Sequence, residues 1–206
     1  MLKKLYFIIP LLAVVATSAQ SKEGYWDNIR TTNETISLRA GEKKVVKTAD
    51  FPEGTTEVVY RITILDDNQK LSSSLVSVLK AIPDPTGISQ GTAGAIFLAS
   101  TISGDDKCKY AIFADANEAD LFLTTAKKDK ACLIQDTPIN KEARILKSKG
   151  SDCFNSKTQN LYFAFQSDNW VMKEKIILEV VPWVDNKASR GWDSDNKKEI
   201  LALSKT

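Results

Sequence analysis

The stretch Thr55–Leu65, TTEVVYRITIL, decides the fold class. Val58, Tyr60, Ile62 and Ile64 fall on one side of its backbone and Val59, Arg61 and Thr63 on the other, the period of two of a strand with one face in a core. The turn Phe51-Pro52-Glu53-Gly54 opens it and Asp66-Asp67-Asn68 ends it. Near the C-terminus two segments repeat the pattern. Asn160–Gln166 puts Leu161, Phe163 and Phe165 on one face. Lys175–Val184 puts Ile176, Leu178 and Val180 on one face and Ile177 and Val181 on the other, which predicts a central strand whose ladder Pro182 limits. Thr35–Arg39 and Lys43–Lys47, around Ala40-Gly41-Glu42, predict a hairpin. Lys109–Ala114 and Asp120–Thr125 predict paired strands, and Ala126–Gln159 reads as mostly loop.

Between the two blocks of strands the period changes. Leu71, Leu75, Val78 and Ile82 recur every three to four residues, an amphipathic helix stopped at Pro83-Asp84-Pro85. Gly91–Ser103 is apolar and rich in small residues, which suits a buried helix better than a membrane-touching hairpin, since its apolar part is too short for a span. Strand blocks with a helical excursion between them predict a mainly β protein, an antiparallel, jelly-roll-like β-sandwich with a helical insertion at about 71–103, rather than an alternating parallel sheet. A short helix, Lys197–Ser204, is expected in the tail, 193–206, after the capping cluster Asp193-Ser194-Asp195-Asn196.

The chain opens MLKKLYFIIPLLAVVATSAQS. Lys3 and Lys4, an apolar run from Leu5 to Ala16 and the small residues Thr17-Ser18-Ala19 have the order of a secretory signal peptide, so 1–19 is expected to be removed and the mature protein to begin at Gln20. No cysteine stands at the cleavage position to carry a lipid anchor. The expected destination is secreted or periplasmic, with no transmembrane span after cleavage. The sandwich domain then covers 20–192.

The chain carries 28 Lys and Arg against 26 Asp and Glu. With the two leader lysines removed the charges balance, which gives no electrostatic footprint for nucleic acid or an anionic membrane. Histidine is absent from the sequence. That excludes Ser-His-Asp and Cys-His nucleophilic catalysis and His-ligated zinc. No cofactor motif is legible: Gly87–Gly94 lacks the Gly-Lys-Ser/Thr ending of a phosphate loop, and Ser72-Ser73-Ser74 has neither a nucleophile elbow nor a base. The acidic pairs Asp66-Asp67, Asp105-Asp106 and Asp193 with Asp195 offer oxygens to a cation, but without EF-hand spacing they read as solvated turns.

Cys108, Cys132 and Cys153 are an odd set for an exported chain, where one disulfide and one leftover thiol are expected. Cys132 and Cys153 bracket a polar, turn-rich stretch and are the favoured pair over Cys108 with Cys153. Trp170, Trp183 and Trp192 cluster toward one end of the sequence. Exposed on rim loops, they would suit gripping a partner or stacking on a sugar.

Two stretches, LRAGEKKVVKTADFPEGTTEVVYRITIL (Leu38–Leu65) and NLYFAFQSDNWVMKEKIILEVV (Asn160–Val181), resemble the opening and closing strands of GOLD-type (p24-like) β-sandwich domains. In that family a closing hairpin reads as an aromatic strand, an Asn-containing bend and a Lys-led apolar strand; Tyr162-Phe163, Asp168-Asn169-Trp170 and Lys173–Val180 stand in those places. The resemblance covers about a quarter of the chain. It implies a jelly-roll-like sandwich used for protein or lipid-surface interaction and transfers no catalytic residue. The sequence therefore predicts an exported, non-enzymatic interaction protein that binds a protein or cell-envelope component, or else a carbohydrate-binding module using its tryptophans.

Overall fold

Alternating apolar residues become strands here because two sheets share what they bury. A computed structural model describes residues 24–66, 68–82, 103–155, 157–170 and 173–187. Among these residues the strands are β1 (Gly24–Trp26), β2 (Thr32–Leu38), β3 (Lys43–Lys47), β4 (Thr55–Leu65), β5 (Cys108–Phe113), β6 (Leu133–Ile139), β7 (Lys141–Lys147), β8 (Tyr162–Ser167) and β9 (Glu174–Asp185). Among them the helices are α1 (Leu75–Lys80) and α2 (Ala116–Thr125). One sheet runs β2-β9-β4-β7, with β1 following β2 along the free edge of β9; the other runs β3-β8-β5-β6. Every pairing is antiparallel. The chain neighbours β2 and β3, β4 and β5, β6 and β7, and β8 and β9 lie in opposite sheets. That is the strand order of a jelly roll.

The shared core lies between the sheets. Val58, Tyr60, Ile62 and Ile64 of β4 and Ile176, Leu178 and Val180 of β9 face Cys108, Tyr110 and Ile112 of β5 and Phe163 and Phe165 of β8, with Leu161 just before that strand. Two smaller cores cover the outer faces. α1 lays Leu75 and Leu79 over Val59 and Val181. α2 lays Ala119 and Phe122 over Ala111, Phe113 and Ala164 of the other sheet.

Several expectations change. β2 and β3 do not form a hairpin: β2 pairs with β9 and β3 with β8, because each has apolar residues to give to a different wall of the same core. The closing pair β8 and β9 is likewise split between the sheets. Asp120–Thr125 belongs to a helix, not a strand. Asp115 caps it by accepting from the backbone N–H groups of Asn117 and Glu118, and Phe122 and Ala119 share its buried side. The stretch expected to be mostly loop, Ala126–Gln159, contains β6 and β7. The helix expected from Leu71 begins at Leu75, with Ser74 as its cap.

β9 also continues past Pro182 to Asp185. Asp27 donates to the Pro182 carbonyl from the free-edge side, in the gap between β2 and β1, so the nitrogen of Pro182, pointing the same way, interrupts no ladder bond. Segment 1–19 and the cleavage point at Gln20, the glycine-rich run Gly87–Gly94, the apolar segment Gly91–Ser103 up to residue 102, Asp67, Trp192, Asp193, Asp195 and the helix Lys197–Ser204 lie outside the described residues.

Candidate functional site

Four connections meet at one end of the sandwich: β2–β3, β4–β5, β6–β7 and β8–β9. Backbone hydrogen bonds knit them into a rim. Ile64 N–H donates to Asn140, Gly104 to Ile64, Asp168 to Lys107 and Ser167 to Glu42. The β8–β9 connection carries Trp170, which is 94% exposed. An ion pair between Lys109 Nζ and Asp168 Oδ1, 2.7 Å long, braces the base of that connection, and Ser167 Oγ accepts from the Asn169 N–H at 3.2 Å. A large aromatic side chain is thus held out to solvent from a fixed base.

The other sequence-expected tryptophan does not join it. Trp183 is buried, packed edge-on against Trp26 with ring centroids 5.1 Å apart. It sits at the far end of β9, roughly 30 Å from the Glu174 end at the usual rise per residue. Gly24 makes the packing possible, since a Cβ there would fall 2.7 Å from the Trp183 ring and 2.3 Å from the Val184 carbonyl. Trp183 therefore serves the core, and a shared platform of Trp170 with Trp183 is ruled out.

Two polar constructions escaped the sequence reading. In the first, Tyr60 and Tyr110 meet across the shared core with their hydroxyls 2.8 Å apart, and Tyr110 donates to Glu142 Oε2 at 2.7 Å. Arg144 Nε in turn pairs with Glu142 Oε1, and its Nη2 donates to Gln135 Oε1 at 2.8 Å. The chain of contacts runs from the middle of the sandwich to the β6–β7 edge. Burial pushes both phenols well above the ordinary tyrosine range, so they stay neutral donors rather than bases.

In the second, Arg61 and Glu179 are register partners on the outer face of β4 and β9. Arg61 Nε reaches Glu179 Oε2 at 2.7 Å and Nη2 holds the Ser73 carbonyl at 2.6 Å, while Glu179 Oε1 accepts from the Leu75 N–H at 2.7 Å. This pair clamps the start of α1 to the sheet.

Cys132 and Cys153 have their sulfurs 2.00 Å apart, at disulfide distance, and Cys108 is free and buried. The bridge lines an open groove of about 380 Å³ with Leu133, Ile145, Leu146, Lys149 and Ser151. The chain matches no protein-family model and no curated protein. Among the described residues, no group of three or more Cys, Asp or Glu side chains is placed to hold a metal ion, and no helix is long and apolar enough to cross a membrane. The acidic pairs contribute Asp66, Asp105 and Asp106 to the Trp170 rim without converging on one point.

Proposed function

We propose that the protein is an exported jelly roll that carries out no reaction of its own and binds a protein or cell-envelope component through the Trp170 rim. The observation that carries this reading is the exposure of Trp170 on a connection braced by the Lys109–Asp168 ion pair and by backbone hydrogen bonds to its neighbours. Exposing an indole to water is costly, and a well-supported aromatic is the kind of residue that dominates a protein interface once covered. The space between the sheets, where a jelly roll can hold a small ligand, is packed with Tyr60, Tyr110, Phe163 and Phe165, which favours recognition at the surface. The apolar opening of the chain and the Cys132–Cys153 bridge support export. A sandwich used for interaction is the part of the GOLD-type resemblance that this reading keeps.

The test is capture from envelope extract by the purified protein, with Trp170→Ala in parallel. We expect a partner retained by the wild type and lost by the variant while the melting temperature stays the same. Equal capture by both removes Trp170 as the contact. A glycan array answered by the wild type and not by the variant would instead make the rim a carbohydrate site.

A further inference from the structure

Glu174 opens β9 on the core-facing side, opposite Leu38 of β2, and with Cys108 and Ser167, partners across the other sheet, it forms the last layer of the core before the Trp170 rim. It is 1% exposed, and neither carboxylate oxygen has a hydrogen-bond partner. The Ser167 hydroxyl is close enough to favour the anion but does not reach bonding geometry with it.

The remaining charged neighbours offer little relief. Asp106, ahead of β5, and Asp168, at the end of β8, both place negative charge against Glu174, and the Cys108 thiol beside it is pushed toward its neutral form by burial and then by Glu174, Asp168 and Glu142. Lys109 is committed to Asp168. On the strand itself, Lys175 donates to the Gln69 carbonyl and Lys173 is exposed. In the β2–β3 turn, Glu42 accepts from the Arg39 N–H, and the Arg39 side chain is exposed, as are Lys107 ahead of Cys108 and Asp66 at the end of β4. Asn169, on the same connection as Trp170, also keeps a buried amide nitrogen without a partner. Among the described residues no cation reaches a carboxylate charge in this layer, and a neutral carboxyl group fits it.

We propose that Glu174 is a proton-operated latch: neutral, it seals the rim end of the core, and on ionising it is driven toward water and loosens its contact with Ser167 and so the segment Ser167–Trp170 at the end of β8. The proposal concerns the rim alone and holds whatever the rim binds. Burial, followed by the charges of Asp106 and Asp168, raises the carboxyl from its ordinary 4.5 to about 7. The folded protein then holds this proton more tightly than the unfolded chain. The stabilisation is complete below about pH 4.5 and is lost as the pH rises through about 7.

Carbon-detected NMR titration of the glutamate carboxyls in the wild-type protein reads this directly. One resonance, assigned to Glu174 through its backbone connectivity and absent in Glu174→Gln, should show a midpoint near neutral pH. The pH-dependent part of the tryptophan emission that Trp170→Phe removes should follow the same midpoint. Asp106→Asn and Asp168→Asn should each lower it. At pH 8, Glu174→Gln should melt above the wild type and lose the wild type's decline with rising pH. A Glu174 midpoint in the ordinary carboxylate range overturns the proposal. So does a midpoint that falls sharply on adding millimolar Ca²⁺, which would make Glu174 a cation ligand instead. Neutral titration without a change at Trp170 leaves a buried acid but no latch, and overturns the proposal as stated.

Discussion

The direction of one hydrogen bond sets how the buried tyrosine pair responds to substitution. Tyr110 donates its proton to Glu142, so in the 2.8 Å contact with Tyr60 its oxygen accepts, and Tyr60 donates. Tyr60→Phe removes the innermost donor and leaves the Tyr110–Glu142 bond in place; about 0.5–1.5 kcal/mol is the usual net cost of one such bond. Tyr110→Phe deletes the shared oxygen. Tyr60 then keeps a buried hydroxyl without its acceptor, and Glu142 loses a donor. Leaving buried groups unpaired costs about 1–3 kcal/mol each, so Tyr110→Phe should destabilise clearly more than Tyr60→Phe in urea unfolding. The reverse order would mean that the proton runs the other way and that Glu142 is not the end of the chain. The same burial predicts that these two phenols resist ionisation: stability present below about pH 10 is lost above it, and their tyrosinate absorbance should appear only as the protein unfolds.

At the scale of elements, that polar chain explains what the sequence concealed. β4, β8 and β9 were legible because the residues they turn inward are apolar, so period two survives in the letters. β6 and β7 turn Gln135, Glu142 and Arg144 toward the other sheet, where an alternating pattern would need apolar residues, and the pattern dissolves into apparent loop. The partners that make those side chains tolerable lie on other strands, beyond the reach of local reading. α2 is a different case, because Asp115 followed three residues later by Glu118 is a helix-start signature, whereas Leu121, Leu123 and the paired threonines Thr124 and Thr125 suit a strand as well. Trp170 was legible as a candidate, whereas the burial of Trp183 depends on Trp26 and Gly24, some 160 residues away in the chain. α1 is short, and its placement depends on the Arg61–Glu179 clamp more than on its own propensity. Arg61→Met strands the Glu179 carboxylate in a buried site, for which about 3–5 kcal/mol is the usual loss, and it frees the Ser73 carbonyl. Hydrogen exchange should then quicken at α1 amides more than at the β4–β9 ladder. Uniform quickening would show the pair holding the sheet rather than the helix.

On the scale of the whole molecule, the two sheets are tied differently at their two ends. The Trp170 rim is knit by backbone hydrogen bonds between connections. On the opposite side, the Cys132–Cys153 bridge joins the long β5–β6 and β7–β8 connections across 21 residues of sequence. Closing a loop of that size stabilises by about 3 kcal/mol on the chain-entropy account. In a chain of this length that corresponds to a fall of roughly 6–12 °C in melting temperature on reduction. The effect should be local as well as global. Ile145 and Leu146, which line the groove beside the bridge, sit on a ladder anchored by β4 and should stay protected, while residues 148–155 lose protection first. Cys108 provides the internal control. It is buried in the shared core, and its thiol is pushed far toward the neutral form by that burial and by Glu174, Asp168 and Glu142, so it lacks the thiolate a labelling reagent needs. Non-reducing peptide mapping should recover Cys132 and Cys153 in one linked fragment, with Cys108 modified only after unfolding. If Cys108 reacts in the native protein at the rate of an exposed thiol, the rim end of the core opens readily, and the packing of Cys108, Ser167 and Glu174 that closes it has been misassigned.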